Sequence, residues 1–430
     1  MTGGGEAART FSLQCGARSH TVTVPDGVRF LYAPMNKVPV PVDASAEIRA
    51  ALDAPVGSPR IEELVRPGQK VCIISDDNTR FTPVNLILRE LLPRIEGAGV
   101  RHEDILIVMA LGSHRYMTEA EMREKVGAEI YENYRVMNSE FADPAQLTEV
   151  GLSELGTPIR VFKPAMEADV RIGLGTVMPH GCMGFSGGAK ILYPGITAAD
   201  IVSEFHIIQG LTEEILLGMV EAPTRLAVEA WTKNIGLHFI VNVALDEGQR
   251  LYRAAAGDYI AAQRRVVGYA QELCGIPLPE APDVVLTAAH PIYLDFWQCG
   301  KAIYAPAKVI KPGGEILVLA ACEEGVGPHP DVLRYISMED GPEALAARVA
   351  AGERGEDMLA MAVGVGNGRI ARRNRITYIS DGLTAAQMAQ AGLGHSHEAA
   401  LQQTLEETLS RFKDPFLLIL PEGAEAIPYL

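Results

Sequence analysis

The chain has no long apolar run. Nowhere among its 430 residues does an uninterrupted apolar stretch approach the roughly 18 residues of a membrane-spanning helix, and the opening MTGGGEAART lacks the apolar segment of a secretory leader. A soluble, cytoplasmic protein with no membrane partner is therefore expected. Cysteine is sparse and scattered: the six residues, at 15, 72, 182, 274, 299 and 322, form no CxxC pair, and several lie inside apolar runs such as Val71 to Ile74. They are read as reduced core side chains rather than disulfides or a zinc site. Positive charge is also in short supply. With 38 Lys and Arg against 54 Asp and Glu, the formal net charge of -16 repels phosphate backbones and anionic lipid, so nucleic acid is not an expected partner. Any anionic ligand must be held by a local cluster of cations. A GxGxxG after a strand with an acidic residue about 20 positions on is missing too, which argues against an NAD-dependent dehydrogenase.

What is present is the composition of a packed globular enzyme, with 48% hydrophobic and 21% charged residues. At roughly 100–200 residues per domain, the length predicts two domains. Short apolar runs alternate with polar, Gly-rich loops and amphipathic helices, the pattern of α/β units with mostly parallel sheets. VCIIS (71–75) leads into DDNTRFTP and a helical VNLILRELLPRI. ILIVMAL (105–111) leads into GSHRYM and a helix for which Thr118 is the expected N-cap. DVRIGLGTV (169–177) leads into PHGCMGFSGGAKILYPG. Ligands of open α/β sheets bind beyond the carboxyl ends of the strands, so these three loops are expected to share one cleft. A hairpin (238–257) and a long helix then precede the proline-punctuated IPLPEAPD (276–283), where the domain boundary is placed. The expected division is an N-terminal cofactor-binding domain over 1–276 and a C-terminal domain over 281–411 that closes over the substrate. The active site then lies in the cleft between them, and the closing 412–430 is expected to return to the first domain.

The most informative segment runs from His180 to Gly195 and is followed by His206; it sets two histidines and Lys190 around several glycines, Gly187 and Gly188 among them. Such a loop lets backbone approach a ligand closely. It is not a Walker A motif, because Ala189 precedes the lysine and Ile191, with no hydroxyl, follows it. Taken singly, each residue has a structural alternative: a glycine-rich turn with a snorkelling lysine, a helix-capping loop histidine at His114, a satisfied helix histidine at His206. His395 and His397 are read as solvated loop side chains rather than a second metal site.

Taken together, four motifs in order resemble the nickel-pincer lactate racemase family. These are Asp77-Asn78-Thr79-Arg80 with Pro83; Gly112-Ser113-His114-Arg115; His180 with Lys190 and His206; and Gln298 with Lys301. The resemblance implies a racemase or epimerase that inverts C2 of a 2-hydroxy acid by passing a hydride to its cofactor and back through a 2-keto acid. It implies as cofactor nickel in a pyridinium-3,5-bisthiocarboxylic acid mononucleotide, the nickel-pincer nucleotide, tethered covalently to Lys190. His206 is then the metal ligand, a role in which one imidazole completes a square-planar nickel site. His114 and His180 become the two proton-transfer groups, one for the hydroxyl of each enantiomer, and imidazole titrates near working pH. Asp77, Thr79, Gly187 and Gly188 fall to the cofactor. Arg80, Gln298, Lys301 and Trp297 fall to the substrate, whose carboxylate needs fixed positive charge.

The chain departs from the family where lactate-specific members have a tyrosine beside the glutamine, since Trp297 stands there. That leaves the acid open among lactate, malate, aromatic, longer-chain and sugar acids. Enzymes that build and deliver the cofactor are implied partners, and a homo-oligomer is compatible with the sequence. Two other classes fit the residues alone. One is a lysine Schiff-base lyase or dehydratase acting on a keto or sugar acid through Lys190. The other is a non-catalytic protein that binds a sugar acid or a metallo-cofactor.

Overall fold

Two six-stranded α/β sheets make up the computed structural model, which describes residues 9–112 and 114–430. Ser113 of the GSHR motif lies outside the described residues. The first sheet runs, edge to edge, Leu251–Gly257, Phe239–Leu245, Val170–Thr176, Val71–Asp76, Ile105–Ala110, Arg135–Asn138. All its neighbours are parallel except Leu251–Gly257, the second arm of the expected hairpin. Its inner strands are covered on both faces, so every residue of Val170–Thr176 and Phe239–Leu245 is buried, most of them apolar. Thr118 caps the helix Glu119–Val126, and Glu121 completes a capping box.

The second sheet is wholly parallel, in the order Gly394–Ser396, Arg375–Ile379, Glu315–Leu319, Val284–Ala288, Phe416–Leu420, Arg29–Tyr32. Here the structure corrects the expected division. Phe416–Leu420 does not return to the first sheet; it lies inside the second, beside Val284–Ala288. FLLIL is apolar at every position and all five residues are buried, so it needs cover on both faces and a strand on both sides. Arg29–Tyr32, from the region assigned to the first domain, is the strand on its other side. Only Ile427–Tyr429 reaches back, pairing with Gly275–Pro277. After Val284–Ala288 the segment LDFWQCGKAIYAPAKVI, which reads as a single helix from its sequence, folds as three short helical pieces, Phe296–Cys299, Gly300–Ile303 and Tyr304–Val309.

Each sheet reverses its winding once. In the first, successive strands step outward from Val71–Asp76 and then resume on its other side at Val170–Thr176. In the second the same happens between Val284–Ala288 and Phe416–Leu420. Crevices open beyond the carboxyl ends of strands at such points. The two crevices face one another: one cleft is lined by Thr79, Arg80, Thr176 and Met178 from the first sheet and by Pro291, Ile292 and Glu425 from the second. No helix among the described residues is long and apolar enough to cross a membrane.

Candidate active site

The loop after Val71–Asp76 is held from below. Lys125 donates to the carbonyls of Asp77 (2.9 Å) and Arg80 (2.6 Å), and Glu121 accepts from Asn78 on this loop and from Arg115 on the next. Asp77, buried at the head of the loop, is set against His114: Nδ1 of the imidazole lies 2.6 Å from one carboxylate oxygen. The other oxygen accepts from the Thr79 amide (3.0 Å) and hydroxyl (2.5 Å). Burial pushes the Asp77 carboxyl up, but His114, Arg80 and Thr79 together outweigh it and hold the group well below the usual carboxylate range. An ionised Asp77 takes the His114 proton on Nδ1 and leaves Nε2 as a bare acceptor. The resemblance assigns Asp77 to the cofactor; in the structure its carboxylate meets His114 and Thr79, whose hydroxyl is committed to the same group. Arg80 folds back on the oxygens of Thr79 (both 3.0 Å) and lines the cleft.

The second loop forms a small hairpin, Pro179–His180 against Gly184–Phe185, followed by a single helical turn, Gly188–Ile191, that carries Lys190. Side chains that sequence reasoning missed hold it in place. Buried Arg225 donates to the carbonyls of Phe185 and Gly187 (2.9 Å for the latter). Gln263 donates to that of Ser186 (3.0 Å), and Asn242 accepts from the Gly188 amide (2.8 Å). The glycines are therefore needed by the protein itself. At φ +57° a Cβ on Gly188 would lie 2.9 Å from the Tyr259 carbonyl oxygen, so backbone expected to approach a ligand approaches a neighbouring segment.

His180 differs from His114 in its tautomer. Its Nδ1 faces the amides of Cys182 and Met183, both at 3.2 Å, so it accepts there and the neutral ring carries its proton on Nε2. Burial, then the charges of Lys190, Lys301 and Arg80, keep His180 well below the ordinary histidine range. Lys190 is lowered to about 8 by burial and by Arg80 and Arg225. Lys301 is lowered to about 7 by burial and by Arg80 and Lys190. Arg80 and Lys190, from the first sheet, thus lie within electrostatic reach of Lys301, from the second. Lys301 donates to Gln298 Oε1 (2.5 Å), as their spacing of three predicts, and Asp295 caps the short helix that begins there.

His206 lies on the helix Ala199–Leu211, with Nδ1 3.5 Å from Gln209 Oε1. Burial brings it down to about 3. Its Nε2 has no hydrogen-bond partner among the described residues. Trp297 presents its edge to the His206 ring at 6.3 Å and packs on His329 at 4.5 Å, a fourth histidine in this wall that the sequence did not single out. No motif spacing marks His329, Arg225 or Asn242; only a general excess of polar residues in apolar surroundings does.

Two other clusters lie away from the cleft. Cys15, His20 and Glu398 bring ligating atoms together, yet Glu398 is bonded by Arg18 at 2.6 and 2.9 Å and by His20 at 2.9 Å. With its charge matched by the guanidinium, this trio is an ion-paired clasp for the hairpin Thr10–Thr23. His397 is exposed and pairs with Asp381 at 3.0 Å.

Residues 15–215 match the lactate racemase N-terminal domain. The chain is 29% identical over 305 residues to a lactate racemase of Lactiplantibacillus plantarum, covering 69% of this chain and 71% of that one. It is 26% identical over 315 residues to a lactate racemase of Thermoanaerobacterium thermosaccharolyticum, covering 72% and 73%. The solved apoprotein of the lactate racemase from Thermoanaerobacterium thermosaccharolyticum shares the fold, with a TM-score of 0.84 over 98% of this chain and 100% of that one at 22% identity. A protein of Thermotoga maritima follows at 0.68 over 90% and 98%, at 19% identity. Over residues 15–215 the chain thus carries a lactate racemase N-terminal domain, and along nearly its whole length it has the fold of the lactate racemase apoprotein.

Proposed function

We propose that the protein is a racemase or epimerase of a 2-hydroxy acid, working with a nickel-pincer nucleotide tethered to Lys190. The observation that carries this reading is the convergence of His180, Lys190, Arg80 and Lys301, with His114 held beside them by Asp77, at the facing carboxyl ends of two mostly parallel sheets. The residues fit the cofactor. Lys190, lowered to about 8, has a substantial fraction of free amine near neutral pH, which a covalent tether needs. His206, with Nδ1 turned to Gln209 and Nε2 without a partner, offers one imidazole nitrogen to a metal. When bound, the pincer supplies a two-electron acceptor and donor of hydride.

The chain's own residues do the rest. The first sheet holds the cofactor and the second, through Gln298 and Lys301, closes over the acid. Arg80 and Lys301 bind the substrate carboxylate, the guanidinium as a fork and the ammonium as a point charge. His114, oriented by Asp77, accepts the C2 hydroxyl proton at Nε2 from one enantiomer. His180 serves the other once its ring gives up the Cys182 and Met183 amides, which frees a nitrogen to accept the proton. The bound carboxylate offsets Arg80 and Lys301, two of the charges that hold His180 deprotonated, so substrate binding itself raises its affinity for a proton. Trp297 and His329 form the wall that limits the acid's side chain. Enzymes that make and deliver the cofactor are the implied partners.

The test is the intact mass of protein co-produced with the cofactor pathway, with nickel quantified on the same sample. Added mass mapped to Lys190 with near-stoichiometric nickel, together with inversion of a 2-hydroxy acid, supports the reading. An unmodified lysine in protein from an active pathway removes the tether. The lowered Lys190 also suits a Schiff-base lyase, and borohydride trapping of a keto acid on Lys190 in cofactor-free protein would favour that chemistry instead.

A further inference from the structure

The ring of His206 is the first member of a buried chain of hydrogen bonds that leaves its own helix. Gln209, one turn on, presents Oε1 to His206 Nδ1, and its Nε2 donates to the Tyr304 hydroxyl at 3.1 Å. The Tyr304 hydroxyl in turn lies 2.8 Å from Asn367 Oδ1. Gln209, Tyr304 and Asn367 are all buried, and they come from three separate helical segments, Ala199–Leu211, Tyr304–Val309 and Glu356–Arg373.

We propose that Gln209, Tyr304 and Asn367 are positioning residues: a directional relay that holds the His206 ring and keeps its proton on Nδ1, so that Nε2 faces the cleft as a ligand. This rests on the reading of His206 as the nickel ligand. With the Gln209 and Asn367 amides oriented as they are here, donor counting gives the direction. The tyrosine has one hydrogen, and Asn367 Oδ1 can only accept, so the hydroxyl donates to Asn367 and accepts from Gln209 Nε2. That leaves Gln209 with Oε1 toward the imidazole, and an amide oxygen requires a donor opposite it. Reversed, the relay would place the Gln209 amide hydrogens against Nδ1, put the ring proton on Nε2 and block metal ligation. A partner on the non-ligating nitrogen that fixes tautomer and orientation is the general requirement of metal-binding histidines.

Tyr304 also ties the relay to the other proton-transfer loop. Its ring fills the space over Gly181, where a Cβ would come within 2.6 Å of it. One tyrosine from the second half of the chain thus braces the His180 hairpin and orients His206.

The experiment reads ring tautomers by long-range 1H–15N correlation in histidine-labelled protein free of cofactor, and nickel loss from loaded protein against a chelator. The parent is expected to show His206 protonated on Nδ1. Gln209→Leu is expected to lose that preference and to release nickel about 10–100-fold faster. Gln209→Glu, which keeps an acceptor opposite Nδ1, is expected to restore both. Tyr304→Phe, which removes one oxygen and keeps the ring against Gly181, is expected to weaken the preference, and it carries the test if Gln209→Leu does not fold. An Nε2-protonated His206 in the parent overturns the relay, as does a parent-like tautomer and nickel loss rate in Gln209→Leu or, where that variant does not fold, in Tyr304→Phe. A tautomer that depends on Gln209 in a protein that never takes up nickel upholds the relay and removes the nickel reading instead.

Discussion

At the scale of single residues, the site is built from groups held away from their ordinary ionisation. Asp77 is ionised in a buried position because His114 and Thr79 occupy its oxygens. An amide in its place keeps the shape and loses the charge that selects the Nδ1–H tautomer of His114. Asp77→Asn is therefore expected to lower turnover about 10²–10⁴-fold in both directions, the usual contribution of a positioned base, with KM little changed. Rates within threefold of the parent would detach Asp77 from the chemistry. Lys301 tells the opposite story. Its folded-state value of about 7 lies below the 10.5 of an exposed lysine, so its contribution to stability is present above about 10.5 and lost as pH falls through about 7. In ligand-free protein at pH 7, Lys301→Met is expected to be more stable than the parent. The difference should shrink by on the order of 3 kcal/mol between pH 7 and 9.5, since each tenfold change in proton activity is worth about 1.4 kcal/mol where folded and unfolded chains differ by one bound proton. Urea unfolding at the two pH values reads it. A pH-independent difference would mean that the ammonium is comfortably solvated in the free cleft. Stability given up at a cation that waits for a carboxylate is the usual cost of a preorganised site.

Secondary-structure elements carry the next level, and they divide what could be read in the sequence from what could not. Periodicity and capping made the parallel strands, the helix after Thr118 and the hairpin at 238–257 legible, because each depends on neighbours a few residues away. The motif loops were legible for the same reason: Lys190, His180 and His114 sit in unusual local sequence. Phe416–Leu420 was misplaced since an all-apolar strand says only that both faces are covered, not by which sheet. Arg225, Asn242 and Gln263 were invisible because the loop backbone groups they hold are 38 to 77 residues away. Their joint function is specific, however. Arg225→Met removes two hydrogen bonds to the Gly-rich loop, and it is expected to raise hydrogen exchange across 179–191 and to cut the yield of Lys190 adduct. Arg225→Lys, with one charge but no fork, should recover little. Unchanged exchange in that loop would show that Asn242 and Gln263 suffice.

The whole molecule adds what neither residue nor element shows, the opposition of two winding reversals. With a formal charge of -16 overall, the protein repels an anionic acid at a distance and gathers Arg80, Lys190 and Lys301 only where the carboxyl ends of the two sheets meet. A carboxylate bound between Arg80 and Lys301 must then bridge the sheets, since these cations belong to loops after Val71–Asp76 and Val284–Ala288. Bridging links binding to closure: a ligand at 100 times its Kd stabilises the bound arrangement by about 2.7 kcal/mol, and that stabilisation is shared by both loops. Hydrogen exchange on cofactor-loaded protein, with and without a saturating 2-hydroxy acid, should show protection arising together over 77–83 and 295–301. In Lys301→Ala both regions are expected to lose it at the same acid concentration, although only one was altered. Protection that survives over 77–83 in that variant would place the acid against the first sheet alone, and the second would be a cover rather than a partner in binding.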